Sequence, residues 1–153
     1  MSVIIEGAGT EPVRRVDQLL AHYGESHMNP VNERIHFVAI PLIALSLTGL
    51  LFAAHPWLAY AFVAASMVYY ARLSAVFFVS MTLMSAAMLG FVHAMGSHVL
   101  WLSAVIFVVA WIFQFIGHKL EGRKPSFFED IQYLWVGPIF VLSRLFLHLK
   151  IRW

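Results

Sequence analysis

The sequence predicts an all-α integral membrane protein. About four transmembrane helices are flanked by an N-terminal amphipathic helix and a C-terminal re-entrant or interfacial helical hairpin. Three observations lead there. Of 153 residues, 61% are hydrophobic and only 12% charged, whereas soluble domains carry about 45–50% and about 25%. The apolar residues fall in long blocks, each near the ~20 residues that a membrane helix needs. Lys and Arg gather at one set of block ends and are missing from the other.

The elements follow in order within one domain, 1–153. Residues 1–10 read as a flexible tail, and residues 1–25 lack the apolar core expected of a cleavable signal peptide. Over 12–24, Val13, Val16, Leu20 and Tyr23 recur at helical spacing, opposite Arg14, Arg15, Asp17 and Gln18. That is an amphipathic helix lying on the membrane surface and stopped by Gly24. Asn29 and Pro30 then suit the N-cap and first position of a new helix. Residues 30–54 form the first span, with Pro41 expected to kink it beside His36. Further spans are expected at 57–71, 73–92 and 99–121. Ser126 and Glu129 fit a capping box, which opens the hairpin 126–149, with a break expected at Gly137–Pro138. Trp57, Trp101 and Tyr69–Tyr70 read as interfacial anchors, and Met81, Met84 and Met88 as a packing stripe.

Composition also excludes several classes. There is no cysteine, so disulfides and thiolate ligands are ruled out. A net charge of +2, spread over loops, fits anchoring to membrane lipid and not nucleic-acid binding. Arg14, Arg15, Arg34, Arg72, Lys119, Arg123 and Lys124 mark their ends as cytoplasmic, so both termini face the cytoplasm. This sorts the histidines. His22, His27, His36 and His118 fall on the cytoplasmic side, and His55, His93 and His98 fall about 30 Å away. A lone histidine at a membrane boundary is ordinarily an interfacial residue. Several on one side suggest a metal site, and imidazole with or without carboxylate suits Fe, Zn, Cu or Ni. Trp111, Gln114, His118 and Glu121 lie on one helical stripe, and Asn32 and His36 on another.

The segment HMNPVNERIH at 27–36, followed by Pro41, is one half of a signature. Gln114-Phe115-Ile116-Gly117-His118, then Glu121-Gly122-Arg123-Lys124-Pro125 and Gly137-Pro138, is the other. Together they resemble the membrane 2-hydroxy fatty acid dioxygenases over about residues 12–148. The resemblance implies an Fe(II) enzyme that uses O2 to shorten a 2-hydroxy long-chain fatty acid by one carbon. It implies His27, His36 and His118 as metal ligands, with His22 a fourth candidate. Glu121, Asn32 and Gln114 would support the chemistry, and Arg123, Lys124 and Arg34 would offset the substrate carboxylate. The acyl chain would lie between helices, near Phe37 and Phe115. The family often has an acidic residue after its Gly-Pro, where this chain reads Val141-Leu142-Ser143-Arg144. The membrane would be the inner membrane of a bacterium or the endoplasmic reticulum of a eukaryote. A haem-binding electron carrier with His36 and His118 as axial ligands is the alternative, followed by a non-enzymatic scaffold. Nothing in the sequence bears on oligomeric state.

Overall fold

The computed structural model describes residues 13–25, 27–122 and 133–153. They form six α-helices: α1 Arg15–Gly24, α2 Pro30–Ala54, α3 Pro56–Ala71, α4 Ala75–Ala94, α5 Val99–Leu120 and α6 Val136–Leu149. A 3-10 turn, Gly96–His98, precedes α5, and no strand occurs among the described residues. The tail at 1–10, Arg123, Lys124 and the capping box at Ser126 and Glu129 lie outside the described residues.

Three segments are long and apolar enough to cross a membrane: Pro30–Ala54, Ala75–Ala94 and Gly96–Leu120. This is compatible with a membrane protein. α3 has 16 residues, about 24 Å at the α-helical rise, and runs between α2 and α4. Side chains such as Leu83, Val105 and Ile112 point outward and are exposed. Trp57 and Trp101 are exposed at the end where α3 and α5 begin. Tyr70 is not an interfacial anchor: it is buried, and its hydroxyl donates to the Trp135 carbonyl at 3.0 Å.

Helix starts follow the local chemistry. The Asn29 side chain accepts from the Val31 amide at 2.8 Å, and Pro30 takes the first turn of α2, where an N–H has no helical partner. α2 continues through Pro41 without interruption. The Gly137–Pro138 pair does not break the last helix but sits in its first turn. Pro138 falls where an amide would be orphaned anyway. α6 ends at Lys150, in a left-handed conformation (φ 57°), with the Ile151 amide returning to the Phe146 carbonyl at 2.9 Å.

α1 docks its apolar face on α6. Val16, Leu20 and Tyr23 are buried against α6, and only Val13 of the expected apolar face stays exposed. All six residues from Val136 to Val141 are buried. They join Ile40 of α2, Tyr70 of α3 and Phe77 and Met81 of α4 in one core. Trp153 folds back so that its indole donates to Asp17 at 3.1 Å, and Arg14 bonds its carbonyl.

The most extensive pairing is α2 with α5. Small residues permit it, as is usual where lipid supplies no hydrophobic drive. A Cβ at Gly49 would lie 2.0 Å from Ser103 Oγ and 3.1 Å from Ser103 Cβ. Gly49→Ala should therefore cost about 1–3 kcal/mol through overpacking, read as a lower thermal midpoint in detergent. Adding Ser103→Ala should recover most of the loss. An unchanged midpoint in Gly49→Ala alone would mean that the helices are not held this close.

Candidate metal centre

Three histidines come together where α2 begins and α5 ends. His27 lies in the turn before α2, His36 two turns into it, and His118 in the last turn of α5. All three are buried, and His36 is only 1% exposed. His36 Nε2 and His118 Nε2 are 3.3 Å apart. The His27 ring centroid is 4.3 Å from that of His36 and 6.0 Å from that of His118.

Backbone carbonyls orient two of the rings. His36 Nδ1 donates to the Asn32 carbonyl at 2.9 Å, and His27 Nδ1 donates to the Tyr23 carbonyl at 2.8 Å. Both contacts span four residues. With Nδ1 committed as donor, each Nε2 carries the lone pair, the arrangement metal-bound imidazoles usually have. Tyr23 also stacks on His27, with centroids 4.4 Å apart, and Phe140 of α6 packs against both rings, 5.6 Å from His27 and 4.9 Å from Tyr23.

A carboxylate and two asparagines lock the helices that carry these rings. Glu121 accepts from the Met28 amide at 2.8 Å, the Asn29 amide at 3.0 Å and Asn32 Nδ2 at 2.9 Å. Asn29 Nδ2 in turn donates to the Leu120 carbonyl at 3.3 Å. The negative charge thus sits at the positive end of α2, where anions are favoured. Glu121 acts as a clamp between the start of α2 and the end of α5. Burial would raise its carboxyl pKa. The bonds from Asn32, Asn29 and Met28 and the nearby His27 outweigh that and hold it below its ordinary value. Gly117 makes room: a Cβ there would stand 2.3 Å from Asn32 Oδ1 and 3.2 Å from the His36 ring.

The other expected residues fall elsewhere. His22 is exposed and 3.6 Å from Glu25, with its ring 5.9 Å from that of Tyr133. Arg34 is exposed, because two residues along a helix points a side chain away from Asn32 and His36. Phe37 and Phe115 are exposed on the outer faces of α2 and α5. Gln114 is buried one turn before His118. His93 meets Tyr60 and Phe52 at the far end of the bundle. Arg144 pairs with Glu33 at 2.9 Å and lies 5.0 Å over Phe140. Tyr23, Phe140 and Gly117 were not singled out from sequence. The four-residue step from Tyr23 to His27, repeated by Asn32 and His36, was the available signal.

A family model described as 2-hydroxy-palmitic acid dioxygenase Mpo1-like matches residues 13–149. The chain belongs to the Mpo1-like family. The family takes its name from a dioxygenase acting on a 2-hydroxy fatty acid. No curated protein and no solved structure matches the chain. The matched segment contains every residue of the cluster, from Tyr23 through Phe140.

Two nitrogens bound to one ion at about 2.0–2.1 Å stand roughly 3–3.4 Å apart, which the His36–His118 pair meets. As they stand, no three His, Cys, Asp or Glu side chains among the described residues form a closed ligand group. His27, held beside the pair with its Nε2 uncommitted to Tyr23, is the ring placed to extend it. Two ring nitrogens thus stand at metal-ligand spacing with a third imidazole beside them, donors of the type that suits a divalent transition metal.

Two outcomes follow from the clamp. The lowered Glu121 pKa means its contribution is complete above the unfolded value of about 4.3 and is lost as pH falls through the folded value. Glu121→Gln should lower the thermal midpoint at neutral pH, and the gap to the parent protein should narrow in acid. A constant gap across this range would remove the clamp as its cause. Gly117→Ala should leave helix content intact by circular dichroism yet displace Asn32 and His36. Metal affinity should then fall about tenfold or more, as when outer partners of a ligand are lost.

Proposed function

We propose that this chain is an integral membrane, Fe(II)-dependent dioxygenase that shortens 2-hydroxy long-chain fatty acids by one carbon, with its active site at the cytoplasmic face. The carrying observation is the His36–His118 pair, Nε2 to Nε2 at 3.3 Å, buried in a member of a family named for a 2-hydroxy-palmitic acid dioxygenase. α3 would complete a fourth crossing and return both termini to the cytoplasmic side, as the distribution of Lys and Arg requires.

His36, His118 and His27 would hold the iron. Bound there, Fe(II) would supply the one-electron chemistry through which O2 reacts with an organic substrate. The rest of the work belongs to the protein. The Asn32 and Tyr23 carbonyls hold Nδ1 of His36 and His27, which keeps each Nε2 unprotonated and aimed. Glu121 keeps the start of α2 against the end of α5, so the rings cannot drift apart. Tyr23 and Phe140 shield His27 from bulk water. Arg123 and Lys124, which directly follow the clamp at Glu121–Gly122, are proposed to meet the substrate carboxylate. The substrate would arrive from membrane lipid.

A haem would need its macrocycle between two axial imidazoles. His36 and His118 are instead in direct contact, with ring centroids 4.8 Å apart, which supports the non-haem reading.

Anaerobic purification, elemental analysis and oxygen uptake with 2-hydroxypalmitate test the proposal. The parent protein should retain iron and consume O2. His36→Ala and His118→Ala should each lose iron and lower uptake about a hundredfold or more, while still inserting in membranes. Full iron retention in either variant, or a Soret band in the parent protein, would overturn it.

A further inference from the structure

Two interior cavities lie on either side of the segment 133–138. The inner one is a narrow cleft enclosing about 20 Å³, bounded by Tyr23, Ile43, Trp111, Gln114 and Gly137. The deeper one encloses about 40 Å³, among Phe62, Val63, Met81, Met84 and Met88. Leu134 lines both, and the consecutive residues Gly137 and Pro138 line one each. The two cavities are therefore neighbours, with Leu134 common to both.

The inner cavity touches the metal centre through Tyr23, whose carbonyl holds His27, and through Gln114, one turn from His118. Gln114 is 4% exposed, and its Oε1 has no hydrogen-bond partner among the described residues. A buried acceptor left this way is costly, and a ligand hydroxyl is a donor that would satisfy it.

The deeper cavity is largely hydrocarbon: of the four hydroxyl side chains on its lining, those of Thr48, Ser66 and Tyr70 are engaged elsewhere, and Ser85 is the fourth. Thr48 donates to its own helix at Ala44, and Ser66 donates to Phe62 while accepting from the Trp135 indole. The Tyr70 hydroxyl is turned to the Trp135 carbonyl. The remaining surface is largely aliphatic and thioether. The space is narrow, and unbranched methionine is the side chain best able to make way for a flexible chain.

We propose that the two cavities form one acyl subsite: the 2-hydroxyl of the substrate donates to Gln114 Oε1, and the tail passes Leu134 to lie among Met81, Met84 and Met88. This rests on the dioxygenase reading for the identity of the acid, and on the cavities for its position. The Met stripe then becomes the device that measures chain length. Each methylene buried there is worth about fourfold in affinity.

A 2-hydroxyhexadecanoic acid bearing a diazirine at its terminal carbon tests the position directly on the full-length protein in lipid nanodiscs. Labelling should map to Phe62, Met84 or Met88. Labelling of the outer faces at Phe37, Phe115 or Val108, or none at all, would overturn the subsite. Met84→Phe should reduce protection of this label by 2-hydroxypalmitate about tenfold and leave protection by 2-hydroxydecanoate within twofold. Gln114→Leu should weaken 2-hydroxypalmitate about tenfold and leave palmitate unchanged. Equal effects on both members of either pair would also count against it. Interior labelling without oxygen uptake would defeat the dioxygenase reading alone. Oxygen uptake with outward labelling would defeat the subsite alone.

Discussion

The approach of α2 to α5 is the constraint on which the rest depends. In a bilayer the apolar surface of one helix gains little by meeting another, so closeness must come from small residues and polar contacts. Here Gly49 and Gly117 supply the first at opposite ends of the pair. At the Gly117 end the second is supplied by Asn29, Asn32 and Glu121, whose bonds run between the start of one helix and the end of the other. The histidines lie inside that lock. Their geometry is inherited from helix packing, so it is rigid without any ligand having to enforce it.

α1 and α6 build the remaining wall. A helix with six consecutive buried residues, as at the start of α6, cannot be a loosely attached hairpin. It fills the space between α1, α2 and α4. Tyr23 shows how closely the pieces are joined. One residue stacks on His27, supplies the carbonyl for its Nδ1, and packs on Phe140 and Tyr133. The amphipathic character of α1 therefore serves an intramolecular docking face.

The helices were largely legible in the sequence because each boundary has a local cause: Asn29 and Pro30 open α2, and His55 and Pro56 separate it from α3. The identity of the clustered histidines was legible too, from sidedness and the family signature. The atoms that orient them were not. Main-chain carbonyls at Tyr23 and Asn32 have no residue-type signal, so no motif reports them. Gly137–Pro138 misled because the pair breaks helices in general yet fits their first turn. Arg34 and the exposed Phe37 and Phe115 show a further limit: proximity in sequence to His36 or His118 says nothing of which way a side chain faces. Glu121 was found by its place on the α5 stripe, but its role as a clamp required the start of α2 to be placed in space.

The separation of 82 positions between His36 and His118 has a consequence for how the protein is made. His36 is made on the first long apolar helix, and its counterpart comes on the last. The ring of His27 is covered only when α6, later still, docks against Tyr23. A ribosome that stalls midway therefore leaves a chain with lone imidazoles and no gathered site. The molecule gathers its three buried histidines only when its last helices are in place.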